Sequence, residues 1–190
     1  MVLIGIIGNI GSGKSTVSDY LEKKYNFIQK SFADPLKQAC QKLFLLSDNQ
    51  INGTQIEKET PDPRWFNCTP RKMFQFVGTD LFRNQLDTII PGLGINVFTH
   101  HFKLWYDTVK DSGVNVVVSD VRFQNEMEHI KNLGGYLIRI IRPDININLV
   151  HQSESELQGL TYDYLIVNDK SIVHLVEQID NILESMDIKK

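Results

Sequence analysis

The chain has 190 residues, 42% of them hydrophobic, which is enough for a compact domain that folds without disulfides or structural metals. Its formal net charge of −3 at pH 7 excludes a global positive field that would hold duplex DNA or an anionic membrane surface. The two cysteines, Cys40 and Cys68, lack the spacing and the histidine pair of a zinc site, so we expect reduced thiols in a cytoplasmic protein.

The predicted elements begin with a buried strand, the apolar run "VLIGII" from Val2, which is too short to span a membrane. The glycine-rich loop "GNIGSGKST" at residues 8–16 follows it, and a helix is expected from 15 to 25. "FIQKSFA" (27–33) predicts a short second strand. "ADPLKQACQKLFLL" then predicts a helix that begins at Asp34, an acceptable N-cap.

The middle of the chain has fewer regular patterns. Residues 47–68 are polar, contain two prolines and show no sustained hydrophobic period, so we expect a mobile excursion there. "TPRKMFQFVGTDLFRNQLD" predicts a helix with Thr69 as its cap and Pro70 in the first helical position. Residues 95–111 predict a further amphipathic helix.

Three strands are predicted in the second half: "VNVVVSD" (114–120), "YLIRIIRP" (136–143) and "YLIVN" (164–168). Helices are predicted after the first of them, "NEMEHIKNLGG", and after the last, "SIVHLVEQIDNILESM". Strands that alternate with helices predict an α/β fold: a three-layer sandwich with a five-stranded parallel sheet and helices on both faces. The strands' carboxyl ends then share one edge of the sheet, where we expect the site.

The loop has the pattern Gly-x-x-x-x-Gly-Lys-Ser between a predicted strand and a predicted helix. Its glycines let successive backbone N–H groups converge on a β-phosphate, while Lys14 reaches the β- and γ-phosphate oxygens and Ser15 ligates Mg²⁺. A glycine-rich turn without a nucleotide is the alternative. The residues predicted to bind ATP and Mg²⁺ here are Gly8, Asn9, Gly11, Ser12, Gly13, Lys14, Ser15 and Thr16.

Two aspartates follow predicted strands. Asp120 ends an apolar run, where its carboxylate could hold Mg²⁺ directly or through water, or could instead cap the next turn. Asp34 could face a pocket for the acceptor of the phosphate, or could be an ordinary helix cap. Both interpretations stay open for each residue.

The arginines are concentrated in one part of the chain. They are Arg64, Arg71, Arg83, Arg122, Arg139 and Arg142. A guanidinium group binds phosphate bidentately, whereas lysines more often carry solvated surface charge. Arg71 and Lys72 lie in the first turn after Thr69, where the helix dipole disfavours cations. This placement indicates an anionic partner nearby, with an exposed turn screened by salt as the alternative.

The residue types also bear on the acceptor of the phosphate. A hydroxyl acceptor would benefit from a placed general base, whereas a phosphate monoester is already a nucleophile at neutral pH and needs its charge neutralised. Scattered carboxylates with concentrated arginines fit a phosphate acceptor better. Aromatic residues near these arginines, such as Trp65 and Phe74, could stack on a base, although at helical spacing they more often form a core.

A series of segments gives the chain a specific resemblance: "GNIGSGKST", "SFADPLK", "TPRKMFQFVGTDLFR", "VVVSDVRFQNE", "LIRIIRP", "HQSESEL" and "YDYLIVND". In this order, from Gly8 to Asp169, they resemble the deoxynucleoside monophosphate kinases of tailed phages and large DNA viruses, which belong to the P-loop nucleoside monophosphate kinases. The combination of "TPR…GTDLFR", "SDVRFQNE" and the H-x-S-E at 151–154 is far more selective than the loop.

The resemblance implies Mg²⁺-dependent transfer of the ATP γ-phosphate to a dNMP, giving dNDP and ADP, by a homodimer in a bacterial or virus-infected cell. By the resemblance, Lys14 and Ser15 hold MgATP, Asp120 serves Mg²⁺, and Arg71, Arg83 and Arg122 are candidates for the acceptor phosphate. The residues predicted to be catalytic are Lys14, Asp34, Asp120 and Arg122. Arg139 and Asn168, the latter beside adenine, join the loop in binding ATP. The residues implied for the dNMP are Asp34, Arg64, Trp65, Arg71, Phe74, Gly78, Thr79, Asp80 and Arg83.

We expect a single P-loop kinase domain over 1–190, with a substrate-side excursion at about 47–92 and a lid-like segment at about 143–162. The lids of related kinases commonly carry arginines, whereas this chain has no lysine or arginine from Pro143 to Asp169. The lid-like segment therefore cannot clamp the γ-phosphate, which leaves that role to Arg122, Arg139 or Arg142.

Two other functions stay open. One is a P-loop kinase of another small metabolite, of the dephospho-coenzyme A or phosphomevalonate type. The other is a nucleotide-hydrolysing switch module that acts through a protein partner. The guanine-specific N-K-x-D sequence does not occur, which counts against a GTPase switch.

Overall fold

The computed structural model describes residues 1–143 and 161–188. The elements, in chain order, are β1 (Leu3–Ile7), α1 (Lys14–Tyr25), β2 (Ile28–Lys30), α2 (Asp34–Phe44), α3 (Asp48–Asn52), α4 (Gln55–Glu59), α5 (Pro70–Gln75), α6 (Val97–Val109), β3 (Val116–Val121), α7 (Gln124–Asn132), β4 (Tyr136–Ile141), β5 (Tyr164–Val167) and α8 (Ile172–Ser185). In this described part of the chain, no helix has the length and apolar character needed to cross a membrane.

The predicted strands pair in one parallel sheet of five, in the order β2-β3-β1-β4-β5. Strand β1 lies at the centre, where Ile4 is aligned with Val117 of β3 and with Tyr136 of β4. Because all strands are parallel, their carboxyl ends meet at one edge of the sheet. The glycine-rich loop after β1 and the segment after β3 are therefore neighbours at that edge.

Helices cover both faces of this sheet. The core on one face contains apolar residues from β1, α1 and α8: Ile4, Ile6, Val17, Leu21, Ile179 and Leu183. Side chains alternate between the faces of a strand, so Gly5 points the other way, and a Cβ there would lie 3.3 Å from Ile130 of α7. The predicted α/β sandwich with a five-stranded parallel sheet is confirmed.

The chain divides into two compact units, one formed by Met1–Phe32 and Trp105–Lys190 and the other by Ala33–Leu104. The first unit contains the sheet. The second has an apolar cluster of its own, which consists of Cys40, Leu46, Ile51, Met73 and Val77. The expected excursion at 47–92 lies within the second unit. The single kinase domain stays a prediction, and the lid-like segment, with its His151 to Glu154 motif, lies outside the described residues except at its ends.

The polar stretch 47–68 contains two short helices, α3 and α4, that the sequence pattern did not predict. Each begins with a capping box, Ser47 with Gln50 and Thr54 with Glu57, in which side chain and backbone exchange hydrogen bonds reciprocally. These bonds satisfy N–H groups that a helix cannot pair internally. Helices of five residues show no sustained hydrophobic period, which is why the sequence pattern did not reveal them, and the expected mobility of this stretch stays a prediction.

Two further helices differ from expectation. Ala33 is the N-cap of α2 and Asp34 is its first helical residue, so the prediction that Asp34 is the N-cap is wrong. Thr69 does cap α5, but the chain from Phe76 to Arg83 continues as a π-helix. π-Helical segments are rare in proteins, but those that occur are often found at functional sites. This one carries the "GTDLFR" sequence.

A carboxylate joins the first and last helices of the sheet unit. Asp180 of α8 accepts hydrogen bonds from the hydroxyl groups of Tyr25, at 2.7 Å, and Tyr20, at 2.8 Å, both on α1. Tyr25 is only 7% exposed. Burial, followed by the Asp180 hydrogen bond and charge, raises the pKa of Tyr25 above its ordinary value. The contact therefore stabilises the packing of α1 on α8 while Tyr25 is protonated.

We expect Tyr25→Phe to lower the free energy of unfolding at neutral pH by about 1.5–3 kcal/mol, the range for a hydrogen bond to a charged group. Since the folded pKa is raised above 10.0, this stabilisation is present below pH 10.0 and is lost as the pH rises through the folded pKa. Urea unfolding in a neutral-to-alkaline series measures it, with Tyr136→Phe, at an exposed tyrosine, as the matched control. Equal stabilities of Tyr25→Phe and wild type at neutral pH would contradict this role.

Candidate functional site

The glycine-rich loop connects β1 to α1 through backbone positions that side chains cannot occupy. Gly11 and Gly13 have φ angles of 77° and 107°, in the left-handed region that favours glycine. At Gly8 the constraint is steric, because a Cβ would lie 2.5 Å from the carbonyl oxygen of Ile140. The loop therefore needs glycine at all three positions.

The side chain of Lys14, the first residue of α1, folds back into this loop. Its Nζ donates hydrogen bonds to the carbonyl oxygens of Gly8, at 2.6 Å, and Asn9, at 2.7 Å. The Ser12 side chain is 1% exposed, and its Oγ has no hydrogen-bond partner within the described residues. A buried hydroxyl without a partner is uncommon and costs about 1–3 kcal/mol. A ligand with acceptor oxygens would give the Ser12 hydroxyl the partner that it lacks among the described residues.

Asp120 lies on β3, the neighbour of β1, one residue before the strand ends. Its carboxylate accepts hydrogen bonds from the Ser31 hydroxyl at 2.5 Å and from the Phe32 N–H at 2.8 Å, just beyond β2. Glu126 accepts from the first two N–H groups after β3, at 2.9 and 3.2 Å, so the next turn has a capping carboxylate other than Asp120. Asp120 is thus held in one orientation at the sheet edge.

The three arginines of the sheet unit have different surroundings. Arg122 directly follows β3 and is half-buried, and within residues 1–143 and 161–188 its guanidinium has no hydrogen-bond or ion-pair partner. Arg139 lies in β4 beside Ile7, with its guanidinium carbon 5.6 Å from the ring centre of Tyr162. Arg142 follows β4 and is exposed. Along the chain, Arg122 is also the arginine of this unit that lies nearest to Asp120.

Asn168 follows β5, and its side chain contacts the loop. Nδ2 donates a hydrogen bond to the Ser12 carbonyl oxygen at 2.9 Å, and a Cβ at Gly13 would lie 2.7 Å from the same nitrogen. Ser15 and Thr16 lie in the first turn of α1, Ser15 exposed and Thr16 half-buried. The expected contact of Asn168 with adenine stays a prediction.

In the Ala33–Leu104 unit, Arg64 has a carboxylate partner within the protein. Its Nε and Nη2 donate to Asp62 at 3.0 and 2.6 Å. Asp62 is 5% exposed and also accepts from Gln50 at 2.8 Å. The Arg64 and Gln50 hydrogen bonds hold the pKa of Asp62 well below its usual range. A role for Arg64 in substrate binding would have to share or break this pair.

Trp65, Phe74 and Gly78 are packed within the same unit. The Trp65 Nε1 donates to the Phe44 carbonyl oxygen at 2.7 Å, and the two rings make an edge contact at 5.5 Å. Phe74 packs against the apolar cluster of this unit, and a Cβ at Gly78 would lie 2.7 Å from Cδ2 of Leu36. These contacts account for the three residues as packing residues, and a role in stacking on a base stays a prediction.

Arg71 lies in the first turn of α5 and has an anionic neighbour. Its Nη2 donates to the Gln55 side-chain oxygen, and its Nε lies 3.9 Å from a carboxylate oxygen of Glu59. Glu59 therefore accounts for a cation at this helix start without a ligand, and the dipole argument does not single out a phosphate.

The π-helix ends at Arg83. The Arg83 Nη1 donates a hydrogen bond to the Ile95 carbonyl oxygen at 3.2 Å, and the Arg83 guanidinium lies 5.1 Å from the centre of the Phe98 ring. Thr79 and Asp80, earlier in the same π-helix, are exposed. Of the residues implied for the acceptor, this segment thus presents a polar pair at the surface and an arginine packed on an aromatic ring.

Two residues at the sheet edge were not singled out from the sequence. Glu126 had a signal, since a glutamate three residues into a helix commonly accepts from N–H groups at its start. Ser31 had none, because its contact depends on the pairing of β2 with β3, in which Ile28 is aligned with Val116. That register brings the residues after β2 beside Asp120.

We expect Asp62→Asn to destabilise the Ala33–Leu104 unit at neutral pH, because Arg64 and Gln50 lose their charged acceptor. Since the folded pKa of Asp62 is lowered from 3.8, its stabilisation is present above pH 3.8 and is lost as the pH falls through the folded pKa. The difference in unfolding free energy between wild type and variant is then constant near neutral pH and shrinks in acid. Urea unfolding across this pH series tests it, with Asp111→Asn, at an exposed aspartate, as control. A difference that did not shrink in acid would contradict the assignment.

Comparison with known proteins identifies relatives over most of the chain. The family model described as deoxynucleotide monophosphate kinase matches residues 50–179. A protein of Acanthamoeba polyphaga mimivirus, provisionally named a deoxynucleotide monophosphate kinase, is 59% identical over 182 residues, which are 94% of each chain. The deoxynucleotide monophosphate kinase of Enterobacteria phage T4 is 30% identical over 115 residues, 60% of this chain and 45% of the phage protein.

Two of the solved structures with a similar fold are named as kinases of small molecules. Dephospho-CoA kinase from Campylobacter jejuni has a TM-score of 0.55 at 15% identity, covering 97% of this chain and 96% of that one. A sugar kinase from Janibacter sp. HTCC2649 has a TM-score of 0.52 at 15% identity, covering 99% and 95%. At this level of identity the likeness concerns the fold alone, which is the α/β fold of P-loop kinases.

Proposed function

The chain belongs to the deoxynucleotide monophosphate kinase family, and from this premise we propose that it transfers the γ-phosphate of ATP to a deoxynucleoside monophosphate, giving ADP and a deoxynucleoside diphosphate. One observation carries the proposal: Lys14 lies inside the glycine-rich loop, and Asp120 lies at the end of the adjacent strand. A cation and a carboxylate placed in this way suit a metal-bound triphosphate.

The loop would bind the triphosphate with its backbone and with Lys14. The first N–H groups of α1 have no partner within the helix, and the helix dipole favours negative charge there. Lys14 would exchange the carbonyl oxygens of Gly8 and Asn9 for charged phosphate oxygens. A phosphate oxygen adds the attraction of opposite charges to a hydrogen bond from the Lys14 ammonium, which a neutral carbonyl oxygen does not, so the exchange favours the bound state.

The residues present fit a magnesium ion. Ser15, in the first turn of α1, and Asp120 offer the oxygen ligands that Mg²⁺ prefers. Among the described residues, no group of three or more His, Cys, Asp or Glu side chains could hold a metal alone, so nucleotide phosphates would complete the site. Bound there, the ion would neutralise charge on the β- and γ-phosphates. Ser31 and Phe32 hold the Asp120 carboxylate in place for this role.

For the transferred phosphate we propose Arg122. It lies two residues after Asp120, and Glu126 fixes its backbone N–H at 2.9 Å. No protein partner of its guanidinium in the described part of the chain has to be displaced. Arg139, by contrast, lies over the Tyr162 ring. No lysine or arginine lies between Pro143 and Asp169, so the cation that this proposal needs beside the transferred phosphate would come from the sheet edge.

For the acceptor phosphate we propose Arg71 and Arg83, with Asp34, Thr79 and Asp80 as further contacts to the dNMP. The ion pair of Arg71 with Glu59 is long, at 3.9 Å, whereas that of Arg64 with Asp62 is 2.6 Å and bidentate. Arg71 can therefore turn to a phosphate more readily than Arg64. A homodimer, implied by the family resemblance, stays a prediction.

A panel of acceptors tests the function. With ATP and Mg²⁺, we expect ADP to form in the presence of dNMPs, and Lys14→Ala to lower kcat/KM by about 10²–10³-fold, the usual effect of removing one charge-stabilising donor. Ribonucleoside monophosphates, dephospho-coenzyme A and phosphomevalonate are tested in parallel. ADP formation with the last two alone would identify a metabolite kinase. ADP formation that needs no acceptor would instead favour the nucleotide-hydrolysing module.

We expect Arg71→Ala to raise the KM for the dNMP by about 10- to 100-fold, since a charge-assisted hydrogen bond contributes about 1.5–3 kcal/mol. The KM for ATP should change little. Arg71→Lys keeps the charge but loses the fork and should be intermediate. Lys72→Ala, which removes the same charge from the next residue, separates a specific contact from general attraction. An unchanged dNMP KM in Arg71→Ala would exclude Arg71 as a clamp.

A further inference from the structure

The backbone that follows β5 is fixed from two sides. The Asn168 N–H donates to the Ile141 carbonyl oxygen at 2.8 Å and extends the pairing of β5 with β4 by one residue. From α8, the Gln178 side chain binds both backbone groups of Val167, donating to its carbonyl oxygen at 3.0 Å and accepting from its N–H at 3.1 Å. The Asn168 side chain therefore extends from a rigid base.

From this base the Asn168 side chain reaches the glycine-rich loop. Its Nδ2 donates to the Ser12 carbonyl oxygen at 2.9 Å and lies 2.7 Å from the place a Gly13 Cβ would take. The amide thus lies directly against the Ser12–Gly13 peptide. Gly13, with φ of 107°, is the residue from which α1 begins.

The geometry of the peptide bond gives this contact a consequence for the loop. A trans peptide is planar, so its C=O and its N–H point in opposite directions. An amide that holds the Ser12 carbonyl oxygen on one side therefore directs the Gly13 N–H to the other side. If this peptide rotated, a carbonyl oxygen would replace the N–H and would repel a phosphate.

We propose that Asn168 is a positioning residue for the phosphate loop: its side-chain amide holds the Ser12–Gly13 peptide so that the Gly13 N–H faces the phosphates of the nucleotide. This inference rests on the proposed function, in which the loop binds a triphosphate. It differs from a contact with adenine. A base contact affects only nucleotides, whereas peptide positioning affects every polyphosphate, including one without a base.

The test uses tripolyphosphate, ATP and GTP, each with Mg²⁺, titrated against wild type and Asn168→Leu. Leucine has nearly the shape of asparagine and lacks the amide donor. We expect the affinity for all three ligands to fall by the same factor, about 5- to 100-fold, because a backbone carbonyl loses its partner and the loop loses its orientation. The dNMP KM should not change.

Controls separate positioning from loss of folding. Asn132→Leu makes the same substitution at an exposed residue of α7 and should leave all three affinities unchanged. Asn168→Ala, which introduces no bulk, should reproduce the loss seen with Asn168→Leu, and the thermal midpoint of each variant shows that it is folded.

Three outcomes would overturn the inference. A loss for ATP and GTP with unchanged tripolyphosphate binding would indicate a contact with the base instead. Equal affinities of wild type and both Asn168 variants for every ligand would show that the amide does not position the loop. If wild type bound neither tripolyphosphate nor ATP, the proposed function itself would fail. The wild-type titration alone shows this, so it can be told apart from a failure of the Asn168 inference, which only the variants can show.

Discussion

The steric constraint on the glycine-rich loop governs the arrangement of the sheet edge. The chain passes so close to its neighbours that a Cβ at Gly8 would lie 2.5 Å from the Ile140 carbonyl oxygen of β4, and one at Gly13 would lie 2.7 Å from the Asn168 amide after β5. Both neighbours belong to strands on the same side of β1. The loop is therefore supported from that side by backbone and amide groups.

The opposite neighbour of β1 contributes charge instead of support. Strand β3 carries Asp120, and the carboxylate is oriented by the hydroxyl of Ser31 and the N–H of Phe32 at the end of β2. The strand order β2-β3-β1-β4-β5 thus puts the loop between neutral supporting groups and an acidic group. In the proposed function a triphosphate with its metal would use both, the backbone N–H groups for phosphate and the carboxylate for the metal.

The regular part of the fold could be predicted because strands buried on both faces read as continuous apolar runs, and β1 and β3 are of this kind. Helices α3 and α4 depend on capping bonds and the π-helix Phe76–Arg83 on local backbone bonding, neither of which has a hydrophobic period. In the site, the motif identified the loop residues. The partner of Asp120 could not be read from the sequence, because it depends on the register of β2 against β3.

The arginines show why residue type alone does not assign a phosphate site. Arg64 was one of six candidates by composition, but it neutralises the buried Asp62, and turning it to a ligand would leave that carboxylate without its charged partner. Within the described residues the Arg122 guanidinium neutralises no carboxylate, and the Arg122 backbone N–H donates a hydrogen bond to Glu126. A guanidinium that the fold does not use internally can give its full charge to a phosphate. The buried Asp62 therefore makes Arg64 less available to a phosphate than Arg122.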